Sequence, residues 1–257
     1  MNVNQSVVKA LGLLNFFSEE QRELTLSELS NKADMPRPTV YRLATSLEMC
    51  GFLKKTRNSD QDVRYSLGLK LLELGSMVAE QLELRKVALP FMRNLCDETN
   101  EVVHLVVRDG DEAVYVEKVE GNRSIRLYTR VGKRSELYVG SGPKLLLAYL
   151  PSEEQESIIE KMSFQVITKN TITEKNKLRS EIERIVQDGY AISEGEQDDE
   201  TIGISYPIFD YTQKMVAALG VSGPSTRIYG EQKKMIQQKT KETAQKISKN
   251  LGYTKER

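Results

Sequence analysis

Apolar residues near the start of the chain recur at helical spacing. Val7, Leu11 and Leu14 form one row, with Ala10, Leu13 and Phe17 beside it. So broad a stripe predicts a first helix, capped by Ser6 and buried over half its circumference. In Thr25-Leu26-Ser27-Glu28-Leu29, Thr25 stands at an N-cap and Glu28 at the capping-box position three residues later. Leu26, Leu29 and Ala33 give this short second helix its inward face, and Asp34-Met35-Pro36 ends it. Pro36 and Pro38 suit the opening turn of a third helix, where proline costs little. Along it Val40, Leu43, Ala44 and Leu47 point inward, while Pro38, Tyr41, Arg42 and Thr45 share the opposite face. Gly51 closes that helix and the period changes to two. Phe52–Thr56 and Val63–Leu67 read as strands flanking the turn-forming Asn58-Ser59-Asp60-Gln61-Asp62.

Beyond Gly68, the residues Leu71, Leu74, Val78 and Leu82 repeat at spacings of three, four and four. They predict a helix that packs on one side, joins two domains and offers a dimer contact, with Gly75 weakening its middle. Val87, Phe91 and Leu95 mark another helix with Pro90 near its first turns. Val102–Val107 and Ala113–Val116 flank Asp109-Gly110-Asp111 as a hairpin, and Ile125-Arg126-Leu127-Tyr128 adds a strand. Helices are expected at about 141–150, 152–162 and 174–188, the last closed by Gly189. Strands at about 201–209 and 215–222 precede a C-terminal helix carrying Ile236, Thr240, Thr243, Ile247 and Leu251. Strands and helices mix without βαβ alternation, so the fold class is α+β with a mainly antiparallel sheet. The expected division is 1–67, a linker helix 68–84, and a second domain 85–257.

Composition adds bounds. With 257 residues, 39% hydrophobic and 29% charged, the chain has the balance of a globular protein of one large or two ordinary domains. No apolar run reaches the ~20 residues that span a bilayer, and Met1-Asn2-Val3-Asn4-Gln5 lacks the features of a signal peptide. Cys50 and Cys96 stand far apart and read as reduced, half-buried thiols of a cytoplasmic protein. The net charge is zero, yet residues 35–66 hold six cations against three acids, a local excess of three. Placement matters more than the total for nucleic acid. Helix, turn, helix and basic hairpin in that order imply a winged helix-turn-helix. Arg37, Pro38, Thr39, Tyr41, Arg42 and Thr45 would face a major groove, and Lys54, Lys55, Arg57 and Arg64 the phosphates. Thr25 and Ser27, at the head of the second helix, complete the candidate DNA contacts.

Reactive chemistry is scarce. His104 is the only histidine and sits in an apolar strand, where a buried imidazole hydrogen-bonded within the sheet is expected. One histidine and two distant cysteines cannot assemble a zinc site. Gly140-Ser141-Gly142-Pro143-Lys144 lacks the spacing of a phosphate loop, and Gly220-Val221-Ser222-Gly223-Pro224 lacks the last glycine of a nucleophile elbow. Glu194, Glu196, Asp198, Asp199 and Glu200 form an acidic run that reads as a solvated loop, or as one that closes over a ligand. Neither cofactor nor metal is implied, and an enzyme with an accessory winged helix would lack a nucleophile–base pair.

Several segments resemble the IclR family of bacterial transcription regulators. They are Met35-Pro36-Arg37-Pro38-Thr39-Val40-Tyr41-Arg42-Leu43, Val103–Asp111, Asp188-Gly189-Tyr190, Pro207-Ile208-Phe209-Asp210, and Val221-Ser222-Gly223-Pro224 with Arg227. The resemblance implies a winged-helix reader of operator DNA, a linker helix and a GAF-like effector domain. It also implies a homodimer or dimer of dimers, responsive to a small organic acid, either a carboxylate or an aromatic acid; a DNA reader fused to a pocket without catalytic groups is expected to act as a repressor. Carried over by position, the effector residues are Ser141, Gly142, Ser193, Glu194, Gly203, Ser205, Gly220 and Ser222. Two stretches depart from the family. Tyr138-Val139-Gly140-Ser141-Gly142-Pro143-Lys144-Leu145 stands where a His-Ala-Thr-Ala-x-Gly-Lys-Ala run is usual. Gly203-Ile204-Ser205-Tyr206 replaces a cysteine and alanines. Ser141 and the N–H groups at a helix N-terminus still suit an anion. A constitutive DNA binder without a ligand remains the alternative.

Overall fold

The computed structural model describes residues 3–18, 20–57, 63–81, 83–121 and 129–254, without the side chains of 78–81 and 83. It divides into two compact units, Met1–Gln81 and Leu82–Arg257.

In the first unit, helix α1 (Gln5–Gly12) is capped by Asn4, whose side chain accepts from the N–H groups of Ser6 and Val7. Ser6 is not the cap, because it already lies inside the helix. Nor is α1 half-buried: none of its residues is buried, and Val7, Val8 and Leu11 are about half exposed. Ala10 alone of the expected stripe within α1 packs against the core, and full burial begins where the chain tightens into a 3-10 turn, Leu13–Phe16, which buries Leu13, and at Phe17 just beyond it. Strand β1 (Glu23–Thr25), α2 (Leu26–Ala33) and α3 (Arg37–Met49) follow. Asp34, left-handed at φ 49°, stops α2, and Gly51 at φ 75° follows the end of α3. Strands β2 (Leu53–Arg57) and β3 (Val63–Leu67) pair antiparallel, and β1 adds to the other edge of β3. Three residues are too few to show a period, so β1 has no signature in the sequence. Leu13, Leu24, Leu29, Val40, Ala44, Leu47, Leu53 and Tyr65 form the core. The Asn58–Asp62 turn lies outside the described residues. Helix α4 (Lys70–Gln81) follows, and Leu69, Leu72, Leu74 and Met77 are exposed in and just before it. The side chains of Val78 and Leu82, expected in its stripe, lie outside the description.

The second unit begins with α5 (Glu83–Thr99), which starts early enough to place Pro90 in its interior. A six-stranded antiparallel sheet follows in the order β6-β5-β4-β9-β8-β7. Its strands are β4 (Val102–Asp109), β5 (Glu112–Val119), β6 (Arg134–Glu136), β7 (Ala191–Glu194), β8 (Thr201–Phe209) and β9 (Met215–Pro224). The α+β class with a mainly antiparallel sheet is as expected. Short β6 and β7 escaped the pattern, and Ile125–Tyr128, expected as a strand, lies outside the described residues. One sheet face packs on α5 and α9 (Gly230–Asn250) through Val103, Leu105, Leu219, Val221 and Ile247. The other packs on α6 (Ser141–Ala148) and α8 (Lys175–Asp188), with α7 (Ser152–Lys161) beyond, through Val106, Leu145, Ile182 and Ala218. With helices on both faces, central β4 carries apolar residues on both, Val103 and Leu105 on one and Val106 on the other.

Candidate DNA-reading face and effector cavity

Helix α3 presents Arg37, Pro38, Tyr41 and Arg42 to solvent and half-buries Thr39 and Thr45. Its opposite side is locked down by Val40, Ala44 and Leu47. An Arg37 guanidinium N–H donates to the Ser27 hydroxyl, tying the heads of α2 and α3 together. Thr25 is spent on the capping box. Its N–H and hydroxyl donate to Glu28 Oε2 at 2.7 and 2.8 Å, and the Glu28 N–H returns to its oxygen at 3.3 Å. These bonds, the backbone one first, hold the Glu28 carboxyl below its ordinary pKa. The hairpin cations divide between two faces. Lys55 lies opposite buried Tyr65, and its ammonium sits 5.6 Å from the centre of the Tyr41 ring. Arg57 shares that face by alternation. Lys54 and Arg64 lie on the other, where Arg64 is opposite Thr25 and Thr56. Cys50 is exposed and Cys96 buried, so neither is half-buried, and both are free thiols.

The second unit holds a cavity of about 260 Å³ between its sheet and the start of α6. Strand pairing builds its floor. Ser193, Gly203 and Ser222 lie abreast on one rung of β7, β8 and β9, and Ser205, Gly220 and His104 abreast on the next, across β8, β9 and β4. Small residues on two adjacent rungs hollow the sheet surface. A Cβ on Gly203 would come within 2.8 Å of Ser141 Oγ and 3.2 Å of Ser222 Oγ.

Of the residues expected at an effector, Ser141, Ser193, Gly203 and Ser222 line this cavity. Ser205 stands behind Ser141, sharing a hydrogen bond at 2.8 Å, and a Cβ on Gly220 would press on Ser205 Oγ. Gly142 faces Val106 and Ala218 in the core. Glu194 points away from the cavity, exposed and paired with Lys233 of α9 at 2.5 Å. Other walls went unforeseen: His104, Tyr115, Thr129, Lys133 and Gly140, with Gln197, Asp198 and Thr201 around the mouth.

His104 is not hydrogen-bonded within the sheet as expected. Its Nδ1 is buried without a partner among the described residues, and its ring meets Tyr115 edge-on at 5.4 Å. Burial first, then the charges of Lys118 and Lys133, push its pKa down to about 3, so the ring is neutral. The acidic run is not uniformly solvated either. Glu196 is buried and binds the Lys144 ammonium, which is 1% exposed and also reaches Glu181 at 2.8 Å and the Ile192 carbonyl at 3.1 Å. The second Glu196 oxygen accepts the Gly140 N–H at 3.1 Å. This pins the loop that carries Gln197 and Asp198 to the head of α6. Among the described residues no group of histidines, cysteines and acids could hold a metal.

Residues 6–57 match the IclR helix-turn-helix domain, and residues 76–249 match the bacterial transcriptional regulator IclR C-terminal domain. The chain belongs to the IclR family. Its relatives include the transcriptional regulator KipR of Bacillus subtilis, 42% identical over 98% of this chain and 99% of that one. The transcriptional repressor AllR of Escherichia coli is 27% identical over 96% and 90% of the two chains. Among solved structures, an IclR homologue from Microbacterium hydrocarbonoxydans complexed with 4-hydroxybenzoate superposes with a TM-score of 0.81, at 24% identity, over 97% of this chain and 100% of its own. At that identity the likeness concerns the fold. Proteins of this family are DNA-binding transcriptional regulators, not enzymes.

Proposed function

We propose that this IclR-type regulator is an operator-binding repressor whose hold on DNA is set by a small organic acid in the second-unit cavity. The observation that carries the reading is the cavity itself: a hydroxyl-lined hollow, built on glycine and serine rungs, inside a regulator of transcription. Repression is supported by AllR, which carries that designation, and an acidic effector by the 4-hydroxybenzoate complex on the same fold. Pro38, Thr39, Tyr41, Arg42 and Thr45 read base edges in the major groove. Arg37 and Ser27 approach the same groove as a linked pair, and Thr25 sets the angle of α2 through its cap. Lys54, Lys55, Arg57 and Arg64 meet phosphates. The protein acts in the cytoplasm as a homodimer or dimer of dimers, since operator half-sites pair two reading heads.

The test begins with duplexes selected from a random library by the wild-type protein. Arg42→Ala is expected to lose about 1–3 kcal/mol on the selected site and much less on random DNA, as a bidentate base contact requires. Equal loss on both would reduce Arg42 to a phosphate contact. A thermal-shift series with organic acids separates a switch from a constitutive binder, which none would stabilise.

A further inference from the structure

The chemistry of the cavity wall narrows the ligand further than "organic acid". Among the described residues lining it there is no aliphatic side chain and no phenylalanine. Ligand pockets are ordinarily mostly apolar, with a few polar groups for orientation. Here the proportion is reversed: hydroxyls from Ser193, Ser222, Thr129 and Thr201 face a neutral imidazole, an ammonium and a carboxylate. An aromatic ring placed among them would strip water from polar groups and return no hydrogen bonds.

Two side chains inside this wall are unsatisfied. The His104 Nδ1 is buried with no hydrogen-bond partner among the described residues, and His104 as a whole is only 4% exposed. Native proteins rarely leave such an atom unmet without a functional reason. A ligand hydroxyl both donates and accepts, so it satisfies either tautomer of the neutral ring. Lys133 is half-buried and pairs with no carboxylate among the described residues, while burial first and then nearby Arg130 push its pKa down. An anion there would relieve both effects. Lys118, the other ammonium near His104, already pairs with Glu120. The N-terminus of α6, the anion site expected from the sequence, is held by the Glu196 carboxylate on the Gly140 N–H. Lys133 is therefore the place for a ligand carboxylate. Asp198, an exposed carboxylate on the cavity lining, would accept ligand hydroxyls and repel a second acid group.

We propose that the cavity takes a polyhydroxylated monocarboxylate, with Lys133 receiving the carboxylate and His104 Nδ1 bonding a ligand hydroxyl. The volume of about 260 Å³ holds roughly nine water-sized groups at ~30 Å³ each, which suits an open-chain acid of about four to six carbons. The proposal rests on the reading of this cavity as the effector site.

Titration calorimetry on the full-length protein tests it, using the sodium salts of D-erythronate, D-xylonate and D-gluconate. The matching polyols, benzoate and 4-hydroxybenzoate form the contrasting set. At least one aldonate is expected to bind, with its polyol and both aromatic acids weaker by about tenfold or more. Lys133→Met and His104→Phe are each expected to weaken that aldonate by about tenfold or more. If His104→Phe fails to fold, Lys133→Met decides alone. An aromatic acid binding more tightly than every aldonate, or a polyol binding as well as its acid, overturns the ligand class. Should Gly203→Val, which fills the hollow, abolish that aromatic acid's binding, the effector reading survives the loss of the class. Failure of every acid to bind overturns both.

Discussion

At the scale of single residues, burial decides what a charge or a polar atom does. The lone histidine was visible in the sequence, but its missing partner was not, because that depends on what β5, β8 and β9 place around it. The His104 pKa lies near 3 in the folded protein against an ordinary 6.5. The unfolded chain takes up a proton below about pH 6.5 and the native chain does not, so this group costs stability as pH falls between those values and nothing above them. The slope is about 1.4 kcal/mol per pH unit. In urea unfolding, the wild type should lose about 2 kcal/mol more than His104→Gln between about pH 7.5 and about pH 5; matching losses would show that the ring protonates in the folded state. Lys144 makes the complementary case. It looked like the end of a glycine-rich run, yet it is the cation that neutralises Glu196 and Glu181 in the interior. Lys144→Met should cost about 3–5 kcal/mol by denaturant unfolding, because it strands the buried Glu196 carboxylate, while Glu181 keeps its pairing with Arg184 at 2.9 Å. A cost below about 1 kcal/mol would mean that water already shares the site.

At the scale of elements, periodicity identified the long pieces and missed the short ones. The third helix, its proline-rich start and its exposed face were legible because thirteen residues carry several turns of pattern. Strands β1, β6 and β7, of three or four residues, are held by their neighbours and leave no pattern of their own. Periodicity also cannot say what covers an apolar stripe. The stripes of α1 and α4 predict packed faces, but Val7, Leu11 and Leu74 stand exposed, with Val8, Leu72 and Met77 exposed beside them. Under the proposed homodimer such faces meet a second copy. Leu72→Glu is expected to weaken self-association by about tenfold or more in sedimentation equilibrium, a cost of roughly 1.4 kcal/mol. Unaltered association would place the dimer contact elsewhere.

At the scale of the whole molecule, a net charge of zero coexists with DNA binding because an excess of three positive charges is concentrated in residues 35–66, the third helix and the hairpin. Affinity for an operator should fall with salt, each phosphate contact adding about 0.9 to the slope of log K against log salt concentration. Lys54→Ala, on the outward face of the hairpin, should reduce that slope by about 1 per reading head in anisotropy titrations, alike on selected and random duplexes. An unchanged slope would remove Lys54 from the phosphate contacts.

The sequence alone determined the succession of long elements, the α+β class, the exposed face of α3 and the family. These depend on local spacing, caps and short motifs, which neighbouring residues carry among themselves. Tertiary structure decided which of the serines and glycines line the cavity, that Glu196 is buried while Glu194 is not, and that His104 and Lys133 line the same cavity. Antiparallel pairing brings His104 beside Gly220 and Ser205, about a hundred residues further along the chain. No local pattern encodes a register set between strands so distant, nor the burial of a charge whose partners come from other segments.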